Sequence, residues 1–170
     1  MRVGTAALIT LRPAEEEDRG PIRQMLEESG AFTAEEIETA LELIDCYLNE
    51  PDQKDYDVRT SLDAEGRVVG YFCVGPTPLT QATFDLYWIA VNPSNLRRGI
   101  GTELLRQAEE LVVSQGGRLL LAETSSRTGY DKTRSFYRKN SYSEVAHIRD
   151  YYSPGDDLLI YGKYLSSSGM

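Results

Sequence analysis

The stretch from Leu86 to Leu105 constrains this chain more than any other. Leu86-Tyr87-Trp88-Ile89-Ala90-Val91 is an apolar run rich in β-branched and aromatic residues, and it reads as a buried strand. Leu104, Leu105, Ala108, Leu111 and Val112 then recur at helical spacing. Between the two lie a turn at Pro93, the pair Arg97-Arg98, and Gly99-Ile100-Gly101. Glycines at a helix start let a ligand approach the bare backbone. The first N–H groups of a helix have no intrahelical partner, and the helix dipole is positive there. Such an end binds anions, usually phosphate, and Arg97 and Arg98 add charge.

Three readings of this loop compete. In the first the glycines serve turn geometry alone. The second is a dinucleotide fingerprint, Gly-x-Gly-x-x-Gly, with Glu123 as the ribose-binding acid. Its third glycine is replaced by Leu104, and the loop from Asn92 to Arg98 is longer than that motif's tight turn. No Gly-Lys-Ser/Thr occurs, so a P-loop is absent. The third reading is a coenzyme A pyrophosphate site.

The periodicities predict an ordered series of elements. Ala6–Leu11 reads as a strand ended by Arg12-Pro13, and Glu15–Glu28 as a helix stopped at Ser29-Gly30. Thr33-Ala34-Glu35-Glu36 is a capping box opening a helix through about Leu48. Tyr56–Leu62 and Arg67–Gly75 form a hairpin, and Thr83–Val91 is the central strand. A helix from about Arg98 to Ser114 ends at Gly116-Gly117. Arg118–Glu123 is a leucine-rich strand, Tyr130 to about Lys139 a short helix, and Tyr142–Ile148 a strand. A loop with Pro154-Gly155-Asp156-Asp157 leads to a last strand, Leu158–Tyr164, and a frayed tail from Ser166. This order specifies an α/β chain with a mixed sheet flanked by helices. One domain over residues 1–165 accommodates all of it. A hairpin feeding the strand before the loop is not doubly-wound topology, which weakens the dinucleotide reading.

The loop and the element order together resemble the GNAT superfamily of acyl-CoA-dependent N-acyltransferases. Its signature is Gln/Arg-x-x-Gly-x-Gly/Ala after a strand ending in valine. Gly99-Ile100-Gly101 matches, while Leu96 departs at the Gln/Arg position. A second motif lies in Ser135-Phe136-Tyr137-Arg138-Lys139-Asn140-Ser141-Tyr142. Ser141 replaces the family's usual glycine, so Asn140 or Ser141 must take any left-handed position. The resemblance implies a mixed, mostly antiparallel sheet whose splayed strands bind the coenzyme, and acetyl-CoA as that coenzyme. It implies that backbone amides from Arg97, Arg98, Gly99, Ile100, Gly101 and Thr102 hold the pyrophosphate. Ile89, Ala90 and Val91 would pair with the pantetheine arm as a strand would. Tyr130 stands where many members have an asparagine that contacts the coenzyme. Tyr137 matches the tyrosine that commonly acts as general acid beside the coenzyme sulfur, and Glu123 matches a glutamate that deprotonates the amine in some members.

The residues alone leave those roles open. Tyr137 also fits a half-buried helix tyrosine with its hydroxyl at the rim. Glu123 also fits a strand-end acid bonded to Thr124, Ser125 or Arg127. Asp85 on the central strand is the competing acid, and with Tyr87 it is a candidate acceptor-binding residue. Trp88, Tyr130, Tyr151 and Tyr152 are further candidates for an acceptor pocket. His147 reads as a packing or capping residue on a late strand.

Composition sets the remaining bounds. A net charge of −9 provides no basic stripe for nucleic acid. One histidine and two cysteines, Cys46 and Cys73, show no metal-ligand spacing, and the cysteines read as buried thiols. No apolar run approaches a membrane span, and Ala6-Ala7-Leu8-Ile9 is too short for a signal sequence. The expectation is a cytoplasmic N-acetyltransferase moving an acetyl group to a small-molecule or peptide amine, with no nucleic-acid or membrane partner and no metal. Whether it works as a monomer or a homodimer stays open. The competing classes are a non-catalytic acyl-CoA-binding regulatory module and, behind it, a nicotinamide-dinucleotide enzyme.

Overall fold

The computed structural model describes residues 8–96 and 99–166. Strands β1 (Thr10–Pro13), β2 (Asp57–Leu62), β3 (Val68–Pro76), β4 (Thr83–Val91), β5 (Leu119–Ser125), β6 (Ser143–Ser153) and β7 (Asp156–Tyr164) form one sheet in the order β1-β2-β3-β4-β5-β7-β6. The α-helices among the described residues are α1 (Arg19–Ser29), α2 (Ala34–Asn49), α3 (Ile100–Ser114) and α4 (Asp131–Lys139), with short 3-10 turns between elements. β1–β2, β2–β3, β5–β7 and β6–β7 pair antiparallel. β4 and β5 pair parallel, which requires a crossover, and α3 is that crossover. The chain divides into two compact units, one of residues up to Gly75 with Trp88–Ala108, the other of Pro76–Tyr87 with the residues from Glu109.

The first unit is packed around α1 and α2. Ile22, Met25 and Leu26 of α1 and Ile37, Leu41 and Ile44 of α2 are buried together with Val58, Tyr71 and Cys73 of β2 and β3. The capping box is formed: the Glu36 N–H donates to Thr33 Oγ1 at 3.2 Å and the Thr33 N–H to Glu36 Oε2 at 2.7 Å. Gly30 caps α1 at φ +64°, a left-handed position that glycine takes without strain. On the opposite face of β3, a Cβ at Gly70 would lie 3.0 Å from the Ala90 carbonyl and 3.1 Å from Leu104. Glycine there lets α3 approach the sheet closely.

The end of the first strand differs from the sequence expectation in this unit. β1 runs through Arg12-Pro13 instead of stopping before them, with Pro13 opposite Arg59. An edge strand tolerates proline because one side has no ladder to donate to. Arg12 holds the buried Asp18 through bonds of 2.6 and 2.9 Å, and the Asp18 turn (Glu16–Asp18) precedes α1. Cys73 is fully buried while Cys46 is half-buried. The expected residues Ala6 and Ala7 of the first strand lie outside the described residues.

In the second unit β5 runs two residues past Glu123. Thr124 Oγ1 donates to the Leu159 carbonyl at 2.9 Å, and Ser125 Oγ donates to Asp156. Both keep β5 laddered to β7 as far as Ser125 opposite Leu158. β6 and β7 are one long hairpin turning at Pro154-Gly155, where the sequence suggested a broad loop. Asp150, at φ +54°, makes this possible: its carboxylate accepts the Gly155 N–H at 2.7 Å and its own N–H donates to Asp157 at 2.9 Å. Ser141 takes the left-handed position after α4, at φ +70°. Tyr137 of α4 packs among Tyr142 (5.4 Å between ring centres) and Tyr161 of β7 (6.0 Å, stacked).

The tightest glycine follows α3. A Cβ on Gly117 would sit 2.3 Å from Val112 Cγ1, 2.9 Å from the Phe84 ring and 2.9 Å from the Val112 carbonyl. Gly117→Ala should therefore destabilise the fold by about 1–3 kcal/mol, the usual cost of overpacking. Urea unfolding measures it; an unchanged midpoint would show that the turn into β5 yields freely.

Candidate active site

The loop after β4 begins with its own turn chemistry. The Asn92 N–H donates to the Val69 carbonyl at 2.8 Å. Asn92 Oδ1 accepts the Ser94 N–H at 3.0 Å and the Ser94 hydroxyl at 2.7 Å. This Asx turn fixes the 3-10 turn Pro93–Asn95. Arg97 and Arg98, the expected added cations, lie outside the described residues.

Gly99 then turns the chain with φ +75°. Nothing lies within 4 Å of where its Cβ would be, so glycine is used for conformation, not space. An L-residue would cost about 1–2 kcal/mol in this left-handed region. That turn also sets the start of α3 at Ile100, two residues later than the periodicity suggested. The buried Ile100 side chain anchors the helix end. The Glu103 N–H closes the first turn on the Gly99 carbonyl at 3.1 Å. The N–H groups of Ile100, Gly101 and Thr102 precede the first intrahelical bond and are the helix's spare donors. Glu103 is an acid in that same turn. Arg106 neutralises it through two bonds, 2.6 and 2.9 Å, and these hold its carboxyl below the ordinary range. Spare donors, a positive helix end and a backbone bare at Gly99 and Gly101 fit the pyrophosphate of a nucleotide coenzyme.

The strand leading to this loop is not wholly buried as the apolar run suggested. Phe84 and Leu86 are buried, but Tyr87 is 37% exposed. Trp88, Ile89, Ala90 and Val91 are half-buried. Trp88 meets Phe32 edge to face at 5.1 Å. Apolar strand residues left half covered mark surface available to a ligand.

The second unit holds the candidate proton carriers. Tyr137 is 4% exposed. Burial, and then Tyr130, push its phenol well above the ordinary tyrosine range, so it keeps its proton at neutral pH. Tyr130 lies under the Arg127 guanidinium, 5.3 Å from the ring centre. Glu123 is an exposed side chain on β5. Among the described residues it makes no hydrogen bond or ion pair. Thr124 and Ser125, its expected partners, bond to β7, and Arg127 bonds to Ser125 at 3.2 Å and to Asp156 at 3.4 Å. The protein crowding Glu123 disfavours its charge, and Asp85 adds repulsion, so its pKa is raised. Asp85 is half-buried and accepts the Thr77 hydroxyl at 2.7 Å.

Other candidates are used elsewhere. His147 is exposed and pairs with Asp157 at 2.6 Å, a hairpin contact. Tyr151 and Tyr152 pack edge to face on each other at 5.0 Å. Two residues escaped the sequence reading. Buried Arg134 donates to the carbonyls of Ser125 and Arg127, pinning the turn that carries Tyr130. Thr77 holds Asp85. The i,i+3 pair Asp131/Arg134 was a signal for the first; nothing local signalled the second.

Comparison with known proteins gives the family and the fold. The acetyltransferase (GNAT) family model matches residues 15–142. A GNAT-family protein from Desulfovibrio desulfuricans is 37% identical with a TM-score of 0.88, over 94% of this chain and 100% of that one. The ribosomal-protein-S18-alanine N-acetyltransferase of Escherichia coli is 17% identical with a TM-score of 0.73, over 95% and 97%. The yncA protein of Salmonella typhimurium, solved with its cofactor acetyl-CoA, is 17% identical with a TM-score of 0.68, over 96% and 98%. The last two show the fold alone. No curated protein matches. A seven-stranded mixed sheet flanked by helices is the architecture of these GNAT acetyltransferase structures. The chain belongs to the acetyltransferase (GNAT) family.

The raised pKa of Glu123 has a consequence for stability. Above the unfolded-state pKa the folded chain binds more protons at this site than the unfolded chain, so stability falls as pH rises through the folded pKa. Ionised Glu123 therefore works against the fold at neutral pH. Glu123→Gln should raise the urea midpoint at pH 7, and the gain should vanish near pH 4. A lower midpoint at pH 7 would show that the carboxylate is stabilised by contacts instead.

Proposed function

We propose that this protein is an acetyl-CoA-dependent N-acetyltransferase whose acceptor, a small-molecule or peptide primary amine, attacks directly in a ternary complex. The observation that carries the reading is the start of α3. Gly99 in a left-handed turn, the bare backbone at Gly101 and three spare N–H groups follow a half-covered apolar strand, in a chain of this family. The N–H groups of Ile100, Gly101 and Thr102, with Gly99 and the side chains of Arg97 and Arg98, bind the pyrophosphate. Ile89, Ala90 and Val91 offer backbone groups to the pantetheine amides. One strand N–H polarises the thioester oxygen, a contact worth roughly 3 kcal/mol. Tyr130 packs against the coenzyme. When bound, acetyl-CoA supplies an activated acetyl thioester.

The chain's own groups manage the protons. An alkylamine has a pKa of about 10, so it arrives as the ammonium ion. Glu123 accepts that proton, directly or through water; its raised pKa makes it a stronger base than an ordinary carboxylate. Tyr87 contacts the acceptor. Tyr137 gives its phenol proton to the departing thiolate and takes one from the attacking nitrogen. A phenol near 10 is a weaker acid than a thiol near 8.5, and burial widens that gap. The exchange with nitrogen is what lets Tyr137 serve. Among the described residues no helix is long and apolar enough to cross a membrane. The proposed location of the reaction is the cytoplasm.

Mixing the protein with acetyl-CoA and a panel of amines should release free thiol only when an amine is present. Binding of acetyl-CoA with no amine-dependent release would turn the reading into an acyl-CoA-binding module. Binding of NADH that acetyl-CoA does not displace would turn it into a dinucleotide enzyme.

Two substitutions separate binding from chemistry. Gly101→Glu places an anion and a side chain at the spare N–H groups, and calorimetry should find acetyl-CoA binding abolished. Tyr137→Phe should keep binding while kcat falls about 10²–10⁴-fold, the usual range for a general acid. A wild-type rate in Tyr137→Phe would assign proton delivery to water.

A further inference from the structure

Asp85 and Glu123 are placed by the sheet, not by sequence. The parallel ladder sets Asp85 opposite Leu121, and Glu123 is two residues further along β5. Register partners share a face, and so do residues two apart on a strand. The two carboxylates therefore lie on one face, at diagonal positions about 7–8 Å apart. Asp85 is fixed there by the Thr77 hydroxyl, which donates to it at 2.7 Å. Thr77 is itself held, its N–H donating to the Thr83 carbonyl at 2.9 Å. On the other side of β5, β7 presents Ile160 opposite Glu123, flanked on that face by Leu158 and Gly162; none titrates. Tyr87 is the next titratable residue along that face of β4. Lys163 and Tyr161 pair with Leu120 and Ala122 on the opposite face.

We propose that Asp85 is a positioning residue for proton transfer: a carboxylate locked by Thr77 on the same sheet face as Glu123, it raises the proton affinity of Glu123 and thereby its strength as a base. The inference rests on Glu123 being the base. It assigns Asp85 a role through Glu123, distinct from serving as the base itself. The sense is that of two like charges sharing one region: a second carboxylate nearby makes Glu123 bind its proton more tightly. A tighter-binding carboxylate is better matched to the proton of an ammonium ion. The direction agrees with the raised pKa of Glu123, to which Asp85 contributes.

The test pairs a pH profile with a direct titration. The wild-type chain, Asp85→Asn and Glu123→Gln are assayed for kcat/KM against pH with acetyl-CoA and the best amine. The Glu123 carboxyl is followed by carbon NMR in the folded wild type and Asp85→Asn. The expected result has three parts. The acid limb of Asp85→Asn moves to lower pH, its plateau falls, and the Glu123 carboxyl titrates lower by the same amount. Thermal melts confirm that Asp85→Asn folds. An acid limb and a carboxyl titration both unmoved in Asp85→Asn overturn the proposal. An acid limb lost in Asp85→Asn but kept in Glu123→Gln makes Asp85 the base and also overturns it. A shifted carboxyl titration with an acid limb unaffected by Glu123→Gln overturns the reading of Glu123 as base, and the catalytic role of Asp85 with it. Because the NMR shift is read without turnover, that last failure is distinguishable from the others.

Discussion

The parallel ladder between β4 and β5 covers Thr83–Asp85 against Leu119–Leu121, and much of the structure depends on that shortness. β4 continues for six residues past it, and the last four, Trp88 to Val91, are half-buried. A strand in the interior of a sheet must satisfy backbone groups on both edges. Where a ladder stops early, those groups need water or a ligand. The same three-residue ladder fixes which carboxylate faces which, since it sets the register of Asp85 against β5.

Helix and strand ends do the rest of the positioning. The left-handed turn at Gly99 aims the start of α3 and decides which N–H groups are spare. Arg106 neutralises Glu103, the acid in the helix's own first turn. At the far end of β5, buried Arg134 gathers the carbonyls of Ser125 and Arg127. A guanidinium is suited to that work because its planar fork offers several donors without ever losing its charge. The turn it holds carries Tyr130, whose ring lies beneath Arg127.

Local chemistry was legible in the sequence and register was not. The capping box at Thr33 and Glu36 formed as its spacing required, because both partners sit within one turn. Gly-x-Gly after an apolar strand announced the helix end for the same reason. The length of β4 was read to the residue. Glu123 was found as a residue type, but its raised pKa comes first from the protein crowding it and then from Asp85, 38 positions earlier by the numbering, and no local pattern encodes either. The β6–β7 hairpin was read short because its turn, Pro154-Gly155, sits among polar residues that resemble a loop. The bonds of Asp150 that carry the strands to that turn are visible only in three dimensions. Ser125 was read as loop because it is polar, yet its hydroxyl spends its bond on Asp156 of the neighbouring strand.

β6 lies at the end of the sheet order, and Val145, Ile148, Tyr151 and Tyr152 on it are about half exposed. A long, flat, apolar edge of this kind invites pairing with other chains and growth into fibres. The register break between Ile148 and Ser153, with Asp150 forced into the left-handed region, makes the edge uneven where it is most aromatic. A bulge bends and twists a strand out of the plane that an incoming strand would need. Asp150 therefore makes the edge a poor template for an incoming strand, at a point on the hairpin away from the residues assigned to chemistry.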